Sequence, residues 1–237
     1  MIKHYPLNQL GRADHGWLKS YFHFSFANYY NPDRISFGTL RVINDDWIAP
    51  NSGFPAHPHR NMEIISFIRS GAISHQDSEG NAGETSAGEV QVMSAGTGIK
   101  HSEFNMTNEP LTLYQIWIEP NEKNVTPRWE TKILTNTEDN TVLPLLVSGY
   151  PEDKNNALYI HQFARIYGGP LTKGMQCTQK IEHQMYLLVS AGKIKVTDNK
   201  NVIVMHKGDG AEISQQKKIK IEVLENSDII LIDAPIK

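Results

Sequence analysis

Short strand-like segments separated by turn residues constrain the fold of this chain more than any other feature of its sequence. Eight segments of five to nine residues are rich in β-branched and aromatic residues and are bounded by Gly, Pro, Asn or Asp. They are FGTLRVIND, MEIISFI, EVQVMSA, LTLYQIWI, QMYLLVS, KIKVT, NVIVM and DIILIDA. Helical periodicity is scarce between them. This pattern predicts an all-β fold, a sandwich or a barrel.

One strand–turn–strand unit occurs twice. ISFIRSGAISHQ followed by AGEVQVMSAG in the first half matches MYLLVSAGKIKVT followed by KGDGAEISQQ in the second. Gly71 and Gly88 are 17 positions apart, and Gly192 and Gly208 are 16 positions apart. The repeat predicts two related β-barrels. The segment between the copies is polar and rich in breakers, so we expect a boundary near residue 132 and domains at 1–132 and 133–237.

The composition excludes several classes of function. Among 237 residues the formal net charge is −3, so there is no basic excess to bind a nucleic-acid backbone. No apolar run reaches the roughly 20 residues that a membrane-spanning helix needs, and the first residues lack the apolar core of a signal peptide. The single cysteine, Cys177, excludes an internal disulfide and fits a reducing compartment. We therefore expect a cytoplasmic protein that binds neither nucleic acid nor membrane. Separately, we expect a monomer.

Two histidines in FPAHPHRNME point to a possible site. Side chains at positions i and i+2 of a strand project to the same face, so His57 and His59 point together if this segment is extended. Pro58 favours an extended residue before it. It also lacks the N–H that a central strand needs, which predicts the end or the edge of a sheet.

A second pair with the same spacing follows in SAGTGIKHSEFN. His101 and Glu103, added to the first pair, make three imidazoles and a carboxylate, a common ligand set for Fe(II), Mn, Ni, Cu or Zn. Four protein ligands leave one or two positions open on a six-coordinate ion, which is the condition for catalysis. Glu63 lies four residues after His59 on the same face, so spacing alone does not choose between Glu63 and Glu103.

Ordinary structural roles compete with this interpretation. The chain has ten histidines, so one H-x-H pair is unremarkable without the second cluster. We expect His75 at a turn, with a structural role and not as a metal ligand. His23 lies in the aromatic stretch SYFHFSFANYY, which we expect in the core, although some of its rings could line the pocket of a flat substrate.

Three of these motifs together resemble a known family. GFPAHPHRNME, SGAISHQDSEGN and MSAGTGIKHSEFN are similar to the paired motifs of the cupin superfamily, and specifically of the pirin family. HGWLKSYFHFSFANYYNP and LRVINDD resemble the N-terminal signature of that family. The resemblance is strong over residues 10–130 and looser beyond, where it implies a second cupin domain. It therefore implies a bicupin of two jelly-roll barrels.

The resemblance also implies a site and a reaction. The ligands carried over are His57, His59, His101 and Glu103, with Glu63 left as a core-lining or supporting residue. One divalent ion is expected in the N-terminal domain, Fe(II) first, with Ni, Mn, Cu or Zn as alternatives. The implied enzyme is a quercetin 2,3-dioxygenase that cleaves a flavonol with O₂ and releases carbon monoxide, with Glu103 as the catalytic base.

Two other functions stay open at this point. Some pirins are regarded as regulatory modules that bind proteins and use iron as a redox-sensitive switch. Alternatively, the chain is a cupin enzyme with a different small-molecule substrate. An open pocket at an intact ligand set favours an enzyme, and a closed site favours the regulator.

The repeat gives a prediction for the C-terminal domain. Counted from the matching glycines, the four ligand positions fall on Thr178, Lys180, Ile221 and Val223. None of these is a metal ligand, so we expect the C-terminal domain to hold no metal.

Overall fold

The computed structural model describes residues 1–133, 143–198 and 201–237. Strands of the first half are β1 (Ile2–Tyr5), β2 (Gly11–Asp14), β3 (Leu18–Phe22), β4 (Leu40–Ile48), β5 (Ser52–His59), β6 (Glu63–Ser70), β7 (Ala72–Asp77), β8 (Ala82–Ser86), β9 (Glu89–Ser94), β10 (Ile99–Asn105), β11 (Leu111–Ile118) and β12 (Arg128–Ile133). Strands of the second half are β13 (Leu145–Ser148), β14 (Leu158–Tyr159), β15 (Arg165–Leu171), β16 (Gln176–Lys180), β17 (Gln184–Ala191), β18 (Lys193–Thr197), β19 (Val202–His206), β20 (Gly210–Ile213), β21 (Lys218–Val223) and β22 (Ser227–Ala234). The helical elements of the described residues are three short 3₁₀ turns, Leu7–Gln9, Pro32–Arg34 and Pro151–Asp153.

The chain forms two compact units. The first unit contains residues 11–133 together with 158–162, and the second contains residues 1–10, 143–157 and 163–237 in their described parts. Strand β1 belongs to the second unit because it pairs with β20, a long-range pairing that local sequence patterns do not reveal. The expected boundary near residue 132 falls at the end of β12, next to residues 134–142, which lie outside the described part of the chain. That boundary stays a prediction.

Both units consist of a larger and a smaller antiparallel sheet. The first unit has the orders β12-β9-β6-β11-β4-β3-β2 and β5-β10-β7-β8. The second unit repeats the central part of this arrangement, with β20-β17-β22-β15 in its larger sheet and β16-β21-β18-β19 in its smaller sheet. This strand order is that of a jelly-roll barrel. The expected all-β fold of two such barrels is confirmed.

The glycines of the repeat occupy equivalent turns. Gly71 and Gly192, which join β6 to β7 and β17 to β18, have φ of +76° and +79°. Gly88 and Gly208, before β9 and β20, have φ of +84° and +86°. Residues other than glycine rarely adopt this left-handed backbone conformation. The spacing of these glycines in the sequence therefore predicts where the tight turns lie.

The two interiors differ in chemistry. The second unit is filled by one large apolar cluster that includes Leu187, Ile194 and Leu231. In the first unit, buried polar residues such as Ser66, Gln91 and Glu103 lie among the apolar ones. Burying a polar group costs free energy unless it has a hydrogen-bond partner. The polar interior of the first unit therefore indicates a functional role for these residues.

The described residues include no helix with the length and hydropathy that a membrane span requires.

Replacing Gly192 with Ala should destabilise the second unit. A methyl group there would overlap the backbone oxygen of Asn226, in addition to the cost of the left-handed conformation. We expect a loss of at least about 3 kcal/mol in the free energy of unfolding, measured by urea denaturation. Gly174→Ala is the matched control, since φ is +88° but nothing lies within 4 Å, and it should cost only about 1–2 kcal/mol. Equal losses in the two variants would contradict the steric argument.

Candidate metal centre

Strand β10 carries the centre of the predicted site. Its side chains alternate strictly, so Ile99, His101, Glu103 and Asn105 are buried while the residues between them are more exposed. This alternation is the period of two that a strand imposes, and it places His101 and Glu103 on the interior face together.

Strand β5 brings the other two histidines alongside. It is the edge strand of the smaller sheet and pairs with β10, with His57 directly opposite His101. The prediction that Pro58 lies at an edge is confirmed. His57 and His59 point to the same side of β5, with ring centroids 4.9 Å apart.

Three histidines from the two strands converge. One ring nitrogen from each of His57, His59 and His101 lies within 4.8 Å of the other two. The two Nε2 atoms of His57 and His101 are only 3.0 Å apart. Two metal–nitrogen bonds of about 2.1 Å at a right angle would separate their nitrogens by about 3 Å, so this spacing suits a shared ion.

The charge state of these rings supports the same interpretation. Burial lowers the pKa of His59 to about 4 and that of His101 to about 3, so both rings are neutral near pH 7. His57 Nδ1 lies 2.8 Å from the backbone oxygen of Pro55, which can only accept, so the neutral tautomer of His57 that this contact selects has its lone pair on Nε2. Neutral imidazoles with converging lone pairs are the donor set that a divalent cation requires. The residues therefore fit a metal ion.

Glu103 is held by two glutamines of the larger sheet. Gln91 Nε2 donates to one carboxyl oxygen at 2.8 Å, and Gln115 Nε2 donates to the other at 2.9 Å. The orientation of each amide is fixed in turn, because an indole N–H can only donate: Trp129 donates to Gln91 Oε1 and Trp117 donates to Gln115 Oε1. Burial raises the pKa of Glu103 to about 7, against these hydrogen bonds, which lower it.

The four predicted ligands do not form a single group. Glu103 belongs to a second cluster with His75 and His101, so the two clusters share His101. Glu63, the alternative carboxylate, belongs to neither cluster and instead accepts a hydrogen bond from Ser94 at 2.7 Å.

An open cavity of about 550 Å³ adjoins the histidines. His57, His59 and Glu103 are part of its wall. Polar side chains such as Asn44 and Asp46 also line it, and five aromatic rings form part of the wall, those of Trp17, Phe22, Phe26, Phe54 and Trp117. Two of these rings, Phe22 and Phe26, come from the stretch SYFHFSFANYY, and that the cavity takes a flat substrate stays a prediction. His23 of that stretch is buried, as expected.

Sequence reasoning missed part of the site. His75 was expected at a turn, but it lies inside β7, is 3% exposed and reaches His101. The signal was present, because His75 and Asp77 have the same i, i+2 spacing as the two predicted ligand pairs. Gln91 and Gln115 were visible only as polar residues in the middle of apolar strands, EVQVMS and LYQIWI.

The equivalent strands of the second unit carry different residues. Ile221 and Val223 of β21 are buried in the apolar cluster, as the repeat predicted. On β16 the predicted register was wrong by one residue: Thr178 and Lys180 are exposed, and Cys177, opposite Ile221, packs against that cluster. The prediction that this unit holds no metal stays a prediction.

Comparisons with known proteins cover nearly the whole chain. Residues 5–118 match the family described as Pirin, and residues 145–234 match the quercetinase C-terminal cupin domain. The chain is 45% identical to a pirin-like protein of Caulobacter vibrioides, over 99% of this chain and 100% of that one. It is 40% identical to a quercetin 2,3-dioxygenase of Escherichia coli, over 96% of each chain.

A solved structure gives the same assignment. The crystal structure of the bacterial pirin YhhW from Escherichia coli in complex with nickel(II) aligns with a TM-score of 0.91 at 38% identity, covering 100% of both chains. The chain therefore belongs to the pirin family of the cupin superfamily.

Proposed function

We propose that this protein is a metal-dependent dioxygenase that cleaves quercetin-type flavonols with O₂. The observation that carries the proposal is the convergence of one ring nitrogen from each of three histidines beside an open cavity with five aromatic rings in its wall. The naming of relatives as quercetin 2,3-dioxygenases supports the same reaction.

The proposed ligands are His57, His59, His101 and Glu103, holding a single divalent ion. The histidine cluster and the nickel-bound relative support one metal ion in the first unit. Glu103 is proposed as the fourth ligand because it faces the same cavity as His57 and His59 and lies within ligand range of His101. We keep Fe(II) as the proposed ion, with Ni, Mn, Cu and Zn as alternatives, since affinity order alone does not decide which ion a cell supplies.

The cavity suits a planar aromatic substrate. Its volume of about 550 Å³ lies within the usual range of roughly 300–1,000 Å³ for small-molecule sites. Trp17 and Phe54 pack edge to face at 5.3 Å on one part of the wall, and Phe26 and Trp117 do the same at 5.5 Å on another. Such rings bury an aromatic ligand and exclude water from the reacting end.

Glu103 is proposed as the base that takes the 3-hydroxyl proton of the flavonol. A divalent ion, when bound, stabilises the deprotonated form of a hydroxyl beside it. Gln91 and Gln115 keep the Glu103 carboxyl from rotating away from the cavity wall. Burial raises the pKa of this carboxyl to about 7 when no ion is bound, so burial favours its protonated form.

The open cavity also bears on the alternative functions. A regulatory module that only senses the state of its iron needs no space beside the ligands, and an aromatic-walled space of this size favours an enzyme. An enzyme with another planar substrate would use the same wall, so the choice of substrate rests on the test below.

Loss of one ligand should abolish both metal binding and turnover. The protein would be purified anaerobically, its metal content measured, and quercetin then added with and without O₂ while its visible absorbance and carbon monoxide release are followed. We expect about one ion per chain and oxygen-dependent bleaching with carbon monoxide release in the wild type, and neither in His57→Ala.

His206→Ala is the control for that experiment. This histidine is exposed in the second unit and its ring lies 3.8 Å from Asp209, so the variant removes an imidazole without touching the cluster. Two ions per chain would contradict the single-site proposal. Metal binding without any bleaching of quercetin would reject the flavonol and favour another substrate or the regulatory function.

The base role predicts a separation of turnover from metal binding. Glu103→Gln keeps the size of the side chain but removes most of its basicity, so turnover should fall roughly 10²- to 10⁴-fold while most of the metal remains. Glu63→Gln is the matched control, because Glu63 is an equally buried acid of the same unit outside both clusters. Unchanged turnover in Glu103→Gln would refute the base role, and an equal fall in both variants would point to a general loss of structure.

A further inference from the structure

The second cluster extends the site away from the cavity. His101 has its Nε2 toward His57, and its other ring nitrogen, Nδ1, faces Nδ1 of His75 at 3.5 Å. On the far side of the His75 ring, Nε2 lies 2.9 Å from Oδ2 of Asp77. The three side chains form a line that leads from the ligand group into the barrel wall.

The hydrogen bonds along this line have one direction. Asp77 accepts from the backbone N–H groups of Glu79 and Asn81 and from the side-chain amide of Asn81, at 2.9–3.2 Å, which holds it as a carboxylate. His75 must therefore donate from Nε2, and a neutral ring then has its lone pair on Nδ1. If His101 binds a metal through its Nε2 lone pair, its proton is on Nδ1. That N–H then points at the lone pair on Nδ1 of His75.

Packing holds the middle ring in place. The side chains of His75 and Asp77 are 1% and 0% exposed. Trp129 lies flat on His75, with an interplanar angle of 3° and centroids 4.8 Å apart. Gly83, directly opposite His75 on β8, is required for this stack, because a methyl group there would lie 2.6 Å from the Trp129 ring.

The second unit shows which part of this arrangement is only structural. Asp198, six residues after Gly192 as Asp77 is six after Gly71, is also buried and accepts from the backbone and side chain of Asn201 at 2.7–3.3 Å. The acid therefore closes the same hairpin in both units. The residue that corresponds to His75 is Val196, which is fully buried in the apolar cluster. The buried acid of the hairpin therefore has a histidine two residues before it in the first unit, His75 before Asp77, and a valine in the second, Val196 before Asp198.

We propose that His75 and Asp77 form a hydrogen-bond relay that fixes His101 as an Nε2 ligand and strengthens it as an electron donor to the metal. Both are positioning residues that act through His101. A carboxylate that accepts through an intervening ring increases the negative charge on the ligating nitrogen and locks its tautomer and orientation. The inference rests on the proposed ligand role of His101 and is independent of the substrate.

The relay also accounts for the second cluster without a second ion. His75 uses Nε2 on Asp77 and Nδ1 on His101, so both of its ring nitrogens already have protein partners. We assign His75 and Asp77 to the outer layer of one metal site, behind the proposed ligands His101 and Glu103.

The test uses Co(II) as the probe, in the full chain, with no flavonol or O₂. Affinity is measured by competition with a chelator. Proton NMR of the Co(II) protein then detects the ring N–H protons of ligand histidines, which the paramagnetic ion shifts far from the other signals. The first variant is His75→Phe, which keeps a ring beneath Trp129 but cannot accept a hydrogen bond from His101. The second is Asp77→Asn, which removes the negative charge of the carboxylate. The control is Asp198→Asn, which disturbs the equivalent hairpin of the other unit.

The relay predicts that wild type binds one Co(II), and that one shifted N–H signal, from His101, exchanges with water more slowly than the others. In both variants the affinity should fall roughly 10- to 100-fold, and that signal should move and exchange faster, while the control changes neither. If His75→Phe does not fold, the test of the relay rests on Asp77→Asn and on the exchange rates of the wild type.

Unchanged affinity and an unchanged signal in a folded variant would overturn the relay, as would two Co(II) ions per chain. Failure of the wild type to bind Co(II) would overturn the ligand set as well.

Discussion

The site depends on one close contact between the ring nitrogens of two histidines on neighbouring strands. Nε2 of His57 and Nε2 of His101 are 3.0 Å apart, and burial keeps His101 neutral, with its pKa lowered to about 3. Two ring nitrogens at that distance are stabilised by a proton that lies between them or by a cation that both bind. The pairing of β5 with β10 places the rings opposite each other, and the rigid sheet supplies the pre-organisation that a metal site needs.

The two units show how much of the site belongs to the fold and how much to side chains. Both use the same order of strands and the same left-handed glycine turns, so the backbone alone does not define a site. The difference lies at a few inward positions: β10 presents His101 and Glu103, whereas β21 presents Ile221 and Val223. The second unit gains an apolar core at these positions, and the first must satisfy each buried polar group with a partner.

The features that could be predicted from the sequence are those that depend on residues close together in the chain. The proposed ligand pairs His57/His59 and His101/Glu103 depend on the period of two within one strand, which can be read from neighbouring residues. The turns depend on single glycines. The partners of Glu103 were not predictable, because Gln91 and Gln115 lie on β9 and β11, and their approach to β10 depends on sheet pairing and on how the sheets face each other. The β16 register failed for the same reason, since one residue gained or lost in a turn exchanges the two faces of a strand.

This distinction also explains why the outer layer of the site was harder to find than the inner one. A ligand must project toward the ion from its own strand, whereas a supporting residue must only reach the ligand from any neighbouring strand. His75 acts on His101 diagonally across the pairing of β7 with β10, and Trp129 reaches His75 from β12 in the other sheet. The indole of Trp129 also fixes Gln91, which holds Glu103. One side chain of the larger sheet therefore supports both a histidine and a carboxylate of the smaller sheet, and the geometry of the site is determined by packing between the two sheets of the first unit.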